Sequence, residues 1–465
     1  MTGCFSVRQQ ALGDEGMKMD TVELKYGKGT VTLDLSGAES VETLVENPMP
    51  VLEDVEAALL RGLEEPIDSP PLRKLIAAGD KVTIIISDVT RFWMRQDVVC
   101  EALVKYLEGL GVRPLDVAVV VALGTHRRQT PEELEKLASP YVFRRCRVVN
   151  HDCDAKDLAY VGTTSQGTEV RVNPLAVGRK LIVVSGTVHH LMAGYGGGRK
   201  SILPGVSGRE TIRMNHRHAL DPVAPHTDEK VGSGKLRLNP INRDMDEAAA
   251  LVKPDFGVSI VVNAQSRHSG IFCGDFMAAW EASCRFCQQN YGVPIDYEAD
   301  VVIASCNGFP KDINLYQAVK TLLNGAGALK KGGTFVFLAE CPEGGGAPDF
   351  FDWIEPLNRG ELDSALRADF TIGGYIFYAS CEAIAKAGDF YMLTAIPPET
   401  VKGMGIRAFS DPAELLQQLD LKGKTIYVIP NGGSLLPQLK AEHLLLNEEV
   451  GGNQDSGKRT QDSVL

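Results

Sequence analysis

The chain has 465 residues, of which 44% are hydrophobic and 23% are charged, and its formal net charge is −12 at pH 7. That length exceeds one ordinary hydrophobic core, so two domains are expected. The acidic excess argues against a nucleic-acid partner, because binding phosphates requires a basic surface. The sequence has no run of about 18 apolar residues and no secretory signal, so we expect a cytoplasmic protein without a membrane partner, whose ligands are small molecules.

The order of apolar and polar segments predicts five parts along the chain. Both halves alternate strand-like runs with helical segments, which is typical of α/β domains. The parts are a disordered leader (residues 1–16), an N-terminal α/β domain (17–272), a linker helix (273–295), a C-terminal α/β domain (296–446) and a disordered tail (447–465). The tail is polar and poor in apolar residues, as disordered segments are.

The N-terminal domain begins with a predicted hairpin and continues with a buried strand. Residues 21–35 alternate apolar and polar side chains around a Gly-containing turn, which indicates two antiparallel strands. The β-branched run Lys81–Ser87 is typical of a buried parallel strand, and Asp88 and Arg91 follow it directly. Ligands of α/β sheets bind beyond such carboxyl ends, although an aspartate there can also simply cap a helix.

Three further predicted strands also end in polar residues. The runs and the residues that follow them are 115–123 with His126, 146–150 with His151, and 180–185 with His189 and His190. Because the carboxyl ends of parallel strands form one edge of a sheet, we predict that these side chains gather there with Asp88 and Arg91. A single histidine such as His126 is, however, more often structural than catalytic.

The C-terminal domain is predicted to be a second, smaller doubly wound sheet. Its strand-like runs are 300–305, 332–341, 389–396 and 424–430. A helix that follows Asn314 carries Tyr316, Gln317 and Lys320 near its N-terminus, with Lys320 one turn after Gln317. Helix N-termini with nearby cations receive carboxylates, but a half-buried tyrosine beside a surface lysine gives the same pattern.

Residues 183–220 combine features that a hydrophobic core does not require. Gly196, Gly197 and Gly198 allow close backbone approach and Lys200 adds a positive charge, as in phosphate-binding loops, although the Walker pattern is not met. His216 lies on a predicted helix, and a neutral imidazole suits Zn, Cu, Fe or Ni. The sequence has no second histidine or cysteine at metal-ligand spacing beside it, so a metal here would need ligands from elsewhere.

Five ordered motifs together resemble the nickel-dependent lactate racemase (LarA) family. They are SDVTR (87–91), GTHRRQT (124–130), HHLMAGYGGGRKSILPG (189–205), NH (215–216) and LYQAVK (315–320). The resemblance covers nearly the whole chain apart from both ends. It implies two α/β domains with the active site in the cleft between them, and it makes the N-terminal domain the cofactor-binding catalytic domain.

The resemblance also implies a cofactor, the nickel-pincer nucleotide (pyridinium-3-thioamide-5-thiocarboxylic acid mononucleotide). The family lysine that corresponds to Lys200 can tether it covalently, and the family histidine that corresponds to His216 completes nickel coordination. Two sulfur atoms and one ring carbon of the cofactor supply the remaining ligands, so no cysteine needs to lie nearby. Cofactor-maturation enzymes are then expected partners, and the oligomeric state, including a homo-oligomer, stays open.

The expected reaction is inversion of a 2-hydroxy acid centre by proton-coupled hydride transfer to the cofactor, which is the activity of a racemase or epimerase. The resemblance makes His126 and His190 the two acid/base residues. Arg91, Gln317 and Lys320 are expected to hold the substrate. The residues expected to contact the cofactor are Asp88, Arg91, Gly196, Gly197, Gly198, Lys200 and Tyr316, with His216 as the metal ligand.

The sequence departs from the family pattern just after Arg91. The segment Phe92–Gln96 adds bulk and a further cation, so a larger 2-hydroxy acid or a sugar acid is as compatible with the sequence as lactate. Two other interpretations stay open. The same cofactor could serve another hydride-shuttle reaction, or the chain could be a nucleotide- or metal-binding protein without turnover, which would leave His126 and His190 without a role.

Overall fold

A computed structural model describes residues 21–451. The predicted leader, 1–16, lies outside the described residues, as does most of the predicted tail. The strands are β1 (Thr21–Tyr26), β2 (Gly29–Asp34), β3 (Ser40–Thr43), β4 (Val82–Ser87), β5 (Val117–Ala122), β6 (Arg147–Asn150), β7 (Ala159–Thr163), β8 (Glu169–Val172), β9 (Lys180–Gly186), β10 (His189–His190), β11 (Gly194–Tyr195), β12 (Phe256–Val262), β13 (His268–Gly274), β14 (Gly292–Ile295), β15 (Ala299–Ser305), β16 (Leu329–Leu338), β17 (Asp389–Leu393), β18 (Arg407–Phe409), β19 (Thr425–Ile429) and β20 (Leu436–Leu439).

The α-helices alternate with the longer strands. They are α1 (Val55–Glu64), α2 (Leu72–Leu75), α3 (Gln96–Gly109), α4 (Pro131–Ala138), α5 (Pro140–Arg145), α6 (Arg209–Arg217), α7 (Pro240–Val252), α8 (Phe276–Tyr291), α9 (Leu315–Gly325), α10 (Ile354–Asn358), α11 (Leu362–Ala368), α12 (Ile372–Lys386), α13 (Pro398–Val401), α14 (Pro412–Leu416) and α15 (Lys440–Gly451). Within the described part of the chain, no helix is both long and apolar enough to cross a membrane.

The first sheet has six strands in the order β13-β12-β9-β4-β5-β6, and all neighbours are parallel except β12 and β13. Its central strands are buried on both faces, which explains their continuous β-branched composition. The predicted strands over 81–87, 115–123, 146–150 and 180–185 are confirmed as β4, β5, β6 and β9. Their carboxyl ends form the edge at which the polar motifs were expected.

The second sheet has six parallel strands in the order β18-β17-β16-β15-β19-β3. The α/β fold with two α/β units is therefore confirmed. The predicted N-terminal domain begins at residue 17, but β3 pairs with β19 and therefore belongs to the second sheet. The β1–β2 hairpin also buries Leu24 and Leu33 in the core that lines the second sheet. An alternating hairpin needs an apolar surface to cover, and its sequence does not specify which sheet provides that surface.

The predicted linker helix and tail are both packed elements. Helix α8 lies on the first sheet, where Tyr291 donates a hydrogen bond to the carbonyl of Val262 (2.8 Å), and the connection to the second sheet is β14. Helix α15 continues to Gly451, so the predicted disorder is wrong for residues 447–451. Val450 is buried there against the α8 side chains Trp280 and Cys284, which a polar composition does not reveal.

Candidate active site

Asp88 and His126 form a hydrogen-bonded pair where β4 and β5 end. Asp88 caps the short 3-10 helix 89–94, and its Oδ1 accepts hydrogen bonds from Thr90 N (2.9 Å) and Thr90 Oγ1 (2.6 Å). The other oxygen, Oδ2, contacts His126 Nδ1. Burial raises the pKa of the Asp88 carboxyl, but the hydrogen bond and charge of His126 and the charge of Arg91 outweigh it and hold that pKa below its ordinary value.

This arrangement fixes the proton on the His126 ring. An ionised carboxylate only accepts hydrogen bonds, so Nδ1 of His126 carries the proton and donates it to Asp88. In the neutral form of the ring the lone pair is therefore on Nε2, on a side chain that is 45% exposed. The pair reproduces the orienting role of a carboxylate beside a catalytic imidazole, in which the second ring nitrogen is set to accept a proton.

His190 has the opposite hydrogen-bonding state. Its Nδ1 accepts hydrogen bonds from the main-chain N–H groups of Met192 and Ala193, both at 3.2 Å. Burial holds the pKa of His190 well below 6.5, and the charges of Lys200 and Arg91 lower it further. The ring is therefore neutral, and because Nδ1 accepts, its proton lies on Nε2. One histidine of the predicted pair thus presents a lone pair and the other presents an N–H.

Positive charges from both sheets meet beside these histidines. Burial first, and then the charges of Arg199 and Arg91, lower the pKa of Lys200 to about 7. In the second sheet's domain, burial first and then the charges of Arg91 and Lys311 lower the pKa of Lys320 to about 7. Since the charge of Arg91 lowers the pKa of both lysines, the loop after β4, the segment after β11 and helix α9 lie within electrostatic reach of one another; we call the region between them the cleft.

Helix α9 presents the predicted substrate-binding residues. Asn314 caps it by accepting the Gln317 N–H at 3.0 Å, and Lys320 Nζ donates to Gln317 Oε1 at 2.8 Å. Arg91 Nη1 donates to Thr90 Oγ1 at 3.1 Å, so Thr90 links Arg91 to Asp88. Thr90 was not among the predicted site residues, although its position within the SDVTR motif pointed to a role in the site. Tyr316 is half-buried, and its raised pKa, due to burial, keeps its hydroxyl protonated.

His216 has the properties of a single metal ligand. It is buried in α6, and its Nδ1 lies 2.9 Å from the Ile212 carbonyl, so the proton is on Nδ1 and the Nε2 lone pair is free. Burial, and then the charge of Lys200, lower its pKa to about 3, which keeps the ring neutral. Fixing one ring nitrogen on a carbonyl is the usual support of a metal-bound histidine. Among residues 21–451, no group of three His, Cys, Asp or Glu side chains could hold a metal by itself.

Main-chain amides of the glycine run are hydrogen-bonded to acceptors within the protein. Gly196 N donates to the Val188 carbonyl (2.8 Å) and Gly198 N donates to Ser185 Oγ (2.8 Å). A Cβ at Gly198 would lie 2.5 Å from the Trp280 ring, at a φ of +51°. The predicted phosphate cradle is therefore wrong for Gly196 and Gly198, whose amides are already bonded. The glycines are required for close packing, and Gly197 alone lacks an internal acceptor among the described residues.

Two of the histidines expected at the sheet edge lie in the interior. His151 is buried, and its ring nitrogens contact the Ser207 carbonyl (2.9 Å) and Asn173 (3.4 Å). His189 is also buried, with its Nε2 3.2 Å from Gln288 of α8. The prediction that His151 reaches the ligand edge is therefore wrong. Of the two adjacent histidines only His190 takes the face toward the cleft charges, because neighbouring residues of a strand point to opposite faces, and His189 has no part in the site.

Comparison with known proteins decides the family. The chain matches the model for the lactate racemase N-terminal domain over residues 26–227 and that for the lactate racemase C-terminal domain over residues 295–368. It is 30% identical over 344 residues to the lactate racemase of Thermoanaerobacterium thermosaccharolyticum, which spans 72% of this chain and 78% of that protein. The chain belongs to the lactate racemase family. A second lactate racemase, from Lactiplantibacillus plantarum, is 29% identical with the same coverage.

Solved structures agree with membership of the lactate racemase family. The apoprotein of the Thermoanaerobacterium thermosaccharolyticum lactate racemase superposes with a TM-score of 0.77 at 28% identity, covering 90% of this chain and all of that one. A protein from Thermotoga maritima shares the fold, with a TM-score of 0.63 at 19% identity over 85% of this chain. The two-sheet architecture is therefore shared with a solved lactate racemase apoprotein.

The buried cations make the apoprotein's stability dependent on pH. The folded chain holds Lys320 with a pKa of about 7, against 10.5 in the unfolded chain. Between these values the unfolded state binds more protons, so this lysine makes the folded state less stable at neutral pH than at about pH 10. We expect Lys320→Met to raise the free energy of unfolding by about 2–4 kcal/mol at neutral pH and by much less at high pH. Urea unfolding measures both values, with the exposed Lys331→Met as the control.

Proposed function

We propose that this protein is a racemase or epimerase that inverts the C2 centre of a 2-hydroxy acid with a nickel-pincer nucleotide as its cofactor. One observation carries the proposal: the cleft contains two imidazoles in complementary hydrogen-bonding states, His126 with a free lone pair and His190 with an N–H. Inversion of a carbon that bears a hydroxyl requires proton handling on both sides of that carbon. A protein that only binds and carries a nucleotide has no need of such a pair.

The residues of the cleft fit the proposed cofactor. His216 offers one free Nε2 as a nickel ligand, and a cofactor that brings its own sulfur and carbon ligands needs only one from the protein. Lys200 is half-buried and its pKa is lowered to about 7, so a large fraction of its amine is neutral and nucleophilic at neutral pH, as a covalent tether requires. When bound, the pincer nucleotide supplies the hydride acceptor of the reaction.

The carboxylate of the substrate is proposed to bind between Arg91 and Lys320. Arg91 offers a planar guanidinium that pairs well with a carboxylate, and Lys320 is held in place by Gln317. These groups come from different sheets, so a bound hydroxy acid bridges the two halves of the cleft and its C2 is fixed relative to both imidazoles. Fixing the reacting group relative to the catalytic groups is a large part of enzymatic rate acceleration.

Proton transfer is assigned to the two histidines. Asp88 accepts the Nδ1–H of His126, so the neutral ring would present Nε2 to the substrate hydroxyl and take its proton when the cofactor is bound. The imidazolium that forms is stabilised by the buried Asp88 carboxylate, whose pKa is below its ordinary value. His190 is proposed as the counterpart that returns a proton to the oxygen of the opposite configuration, which requires it to take up a second proton and act as an imidazolium once the substrate carboxylate is bound. The cations around it keep the ring neutral until substrate arrives.

The segment Phe92–Gln96 does not add a free cation to the pocket. Arg95 pairs with Asp97 through two contacts of 3.0 Å, and the Phe92 ring faces Lys136 Nζ at 4.4 Å. Trp93 packs over Gly186 at the end of β9, where a Cβ would lie 3.0 Å from the indole. The departure from the family pattern is thus largely structural. We propose lactate or a larger 2-hydroxy acid as the substrate.

Replacement of each histidine tests the assignment. We expect His126→Ala and His190→Ala to lower the rate of interconversion by about 10²–10⁴-fold, the usual contribution of a general acid or base. Both variants should retain nickel, since neither histidine is the proposed ligand. The half-exposed His226 gives the matched control His226→Ala. Chiral chromatography follows the enantiomers in protein matured with the cofactor-assembly enzymes. Two harmless replacements would refute the catalytic roles.

A further inference from the structure

A second polar cluster lies at the carboxyl edge of the second sheet, where β15 and β19 end. Lys311 follows β15, and its Nζ donates to Asn431 Oδ1 (2.8 Å) and to Ser434 Oγ (3.4 Å) in the turn after β19. From β15 the chain builds β16, β17 and β18 on one side, and it then returns to β19 on the other side of β15. The crevice at such a reversal of strand order is where open α/β sheets bind ligands.

The cluster has more hydrogen-bond donors than acceptors. The polar contacts of Lys311 among the described residues are those to Asn431 and Ser434, and the charge of Glu46 influences its pKa without a direct contact. Asn431 is 5% exposed, its Oδ1 is used by Lys311, and its Nδ2 has no acceptor within the described structure. A buried amide donor is normally paired, so the unpaired Nδ2 of Asn431 indicates that a ligand supplies its acceptor.

The cluster borders the cleft described above. The charge of Lys311 lowers the pKa of Lys320, which places the two lysines within electrostatic reach of each other. Lys311 also lies shortly before Asn314, the residue that caps helix α9. Lys311 and Ser434 also keep partial exposure, so a ligand in the cleft can contact them. The predicted phosphate cradle cannot serve that ligand fully, because the amides of Gly196 and Gly198 are bonded internally.

We propose that Lys311, Asn431 and Ser434 form an anion subsite that binds an oxyanion group of the ligand in the cleft. Lys311 supplies the positive charge, Asn431 Nδ2 a fixed donor and Ser434 a hydroxyl. The chemistry fits a phosphate or a carboxylate, which carry several acceptor oxygens on one centre. The bound oxyanion group has two possible origins, the phosphate of the nucleotide and a second acid group on the substrate. Only the choice between these two rests on the proposed function.

The first experiment uses inorganic phosphate and the apoprotein, so it does not depend on catalysis. Isothermal titration of wild type is compared with Lys311→Met, Asn431→Asp and the exposed control Lys331→Met. Asn431→Asp puts a carboxylate next to Lys311 and fills the subsite from within the protein. We expect both cluster variants to weaken phosphate binding at least about 10-fold, because each loses one desolvated charge-assisted contact. Lys331→Met should leave phosphate binding unchanged. Asn431→Asp should also raise the thermal midpoint without phosphate, which shows that it folds.

The second experiment distinguishes the two sources with matured protein. If the nucleotide phosphate occupies the subsite, Lys311→Met lowers nickel and nucleotide content and affects all substrates equally. If a second acid group of the substrate occupies it, content is unchanged, and KM rises for a hydroxy diacid such as malate but not for lactate. Phosphate affinity that is the same in wild type, Lys311→Met and Asn431→Asp would overturn the proposal. Phosphate binding that depends on Lys311 in a protein without hydroxy acid activity would support the subsite and refute only the proposed function.

Discussion

Replacing Asp88 with asparagine is expected to lower kcat for hydroxy acid interconversion by about 10³–10⁴-fold, as loss of the orienting carboxylate does in catalytic triads. The physical reason is the proton on the His126 ring. The amide introduced by Asp88→Asn can donate its N–H to Nδ1, which would move the ring proton to Nε2 and remove the lone pair that accepts the hydroxyl proton. The two side chains are nearly the same size, so the packing around this position is preserved.

Two readouts distinguish this effect from a structural one. Nickel content of the matured Asp88→Asn protein should equal that of wild type, because His216 and Lys200 are untouched. Asp97→Asn, which removes the carboxylate that pairs with Arg95 on the same segment, is the matched control and should keep nearly full activity. A loss of less than about 10-fold in Asp88→Asn would show that the Asp88–His126 pair does not set the proton state that general base catalysis requires.

Replacing His216 with alanine is expected to abolish nickel retention. His216 is the buried imidazole with Nδ1 fixed on the Ile212 carbonyl and Nε2 free, and no group of three ligating side chains offers an alternative within residues 21–451. Loss of residues that only support a metal ligand costs about 10–100-fold in affinity, so loss of the ligand itself should leave less than about a tenth of the nickel. Metal analysis of matured, desalted protein measures this directly.

His218 provides the control for that variant, because it lies two residues further along the same segment and is half-buried. His218→Ala should retain wild-type nickel. The apoproteins of both variants should unfold at similar urea concentrations, so that a difference in nickel cannot come from misfolding. Equal nickel in His216→Ala and wild type would mean that the metal is held elsewhere, and the assignment of His216 would fail.

Much of the fold follows from local patterns. Strands β4, β5 and β9 were predictable because a continuous β-branched run can be buried only between two layers of helices. The position of the β1–β2 hairpin was not predictable, since its apolar face suits either sheet. The extent of α15 was missed for a related reason: Val450 is buried by contact with α8, more than 150 residues away in sequence, and composition does not register such contacts.

The candidate site was predictable where one short motif carries several of its parts. SDVTR supplies Asp88, Thr90 and Arg91, and His126 follows the adjacent strand. The phosphate cradle was predicted from residue type alone. The amides of Gly196 and Gly198 donate instead to acceptors within the protein that only the fold brings close. The cluster of Lys311 and Asn431 was missed because its members are 120 residues apart in sequence and meet only where β15 and β19 end.

The most direct measurement is the fate of the C2 hydrogen during turnover of matured, nickel-loaded protein. L-Lactate with deuterium at C2 is incubated in ordinary water, and the D-lactate formed is separated by chiral chromatography and analysed by mass spectrometry; the same assay applies to larger 2-hydroxy acids. Hydride transfer to and from a bound cofactor predicts D-lactate that retains its deuterium, with nickel present in the protein. Exchange of that deuterium for solvent hydrogen would indicate proton abstraction from C2. That result, or nickel-loaded protein inert on every hydroxy acid tested, would contradict the proposed function.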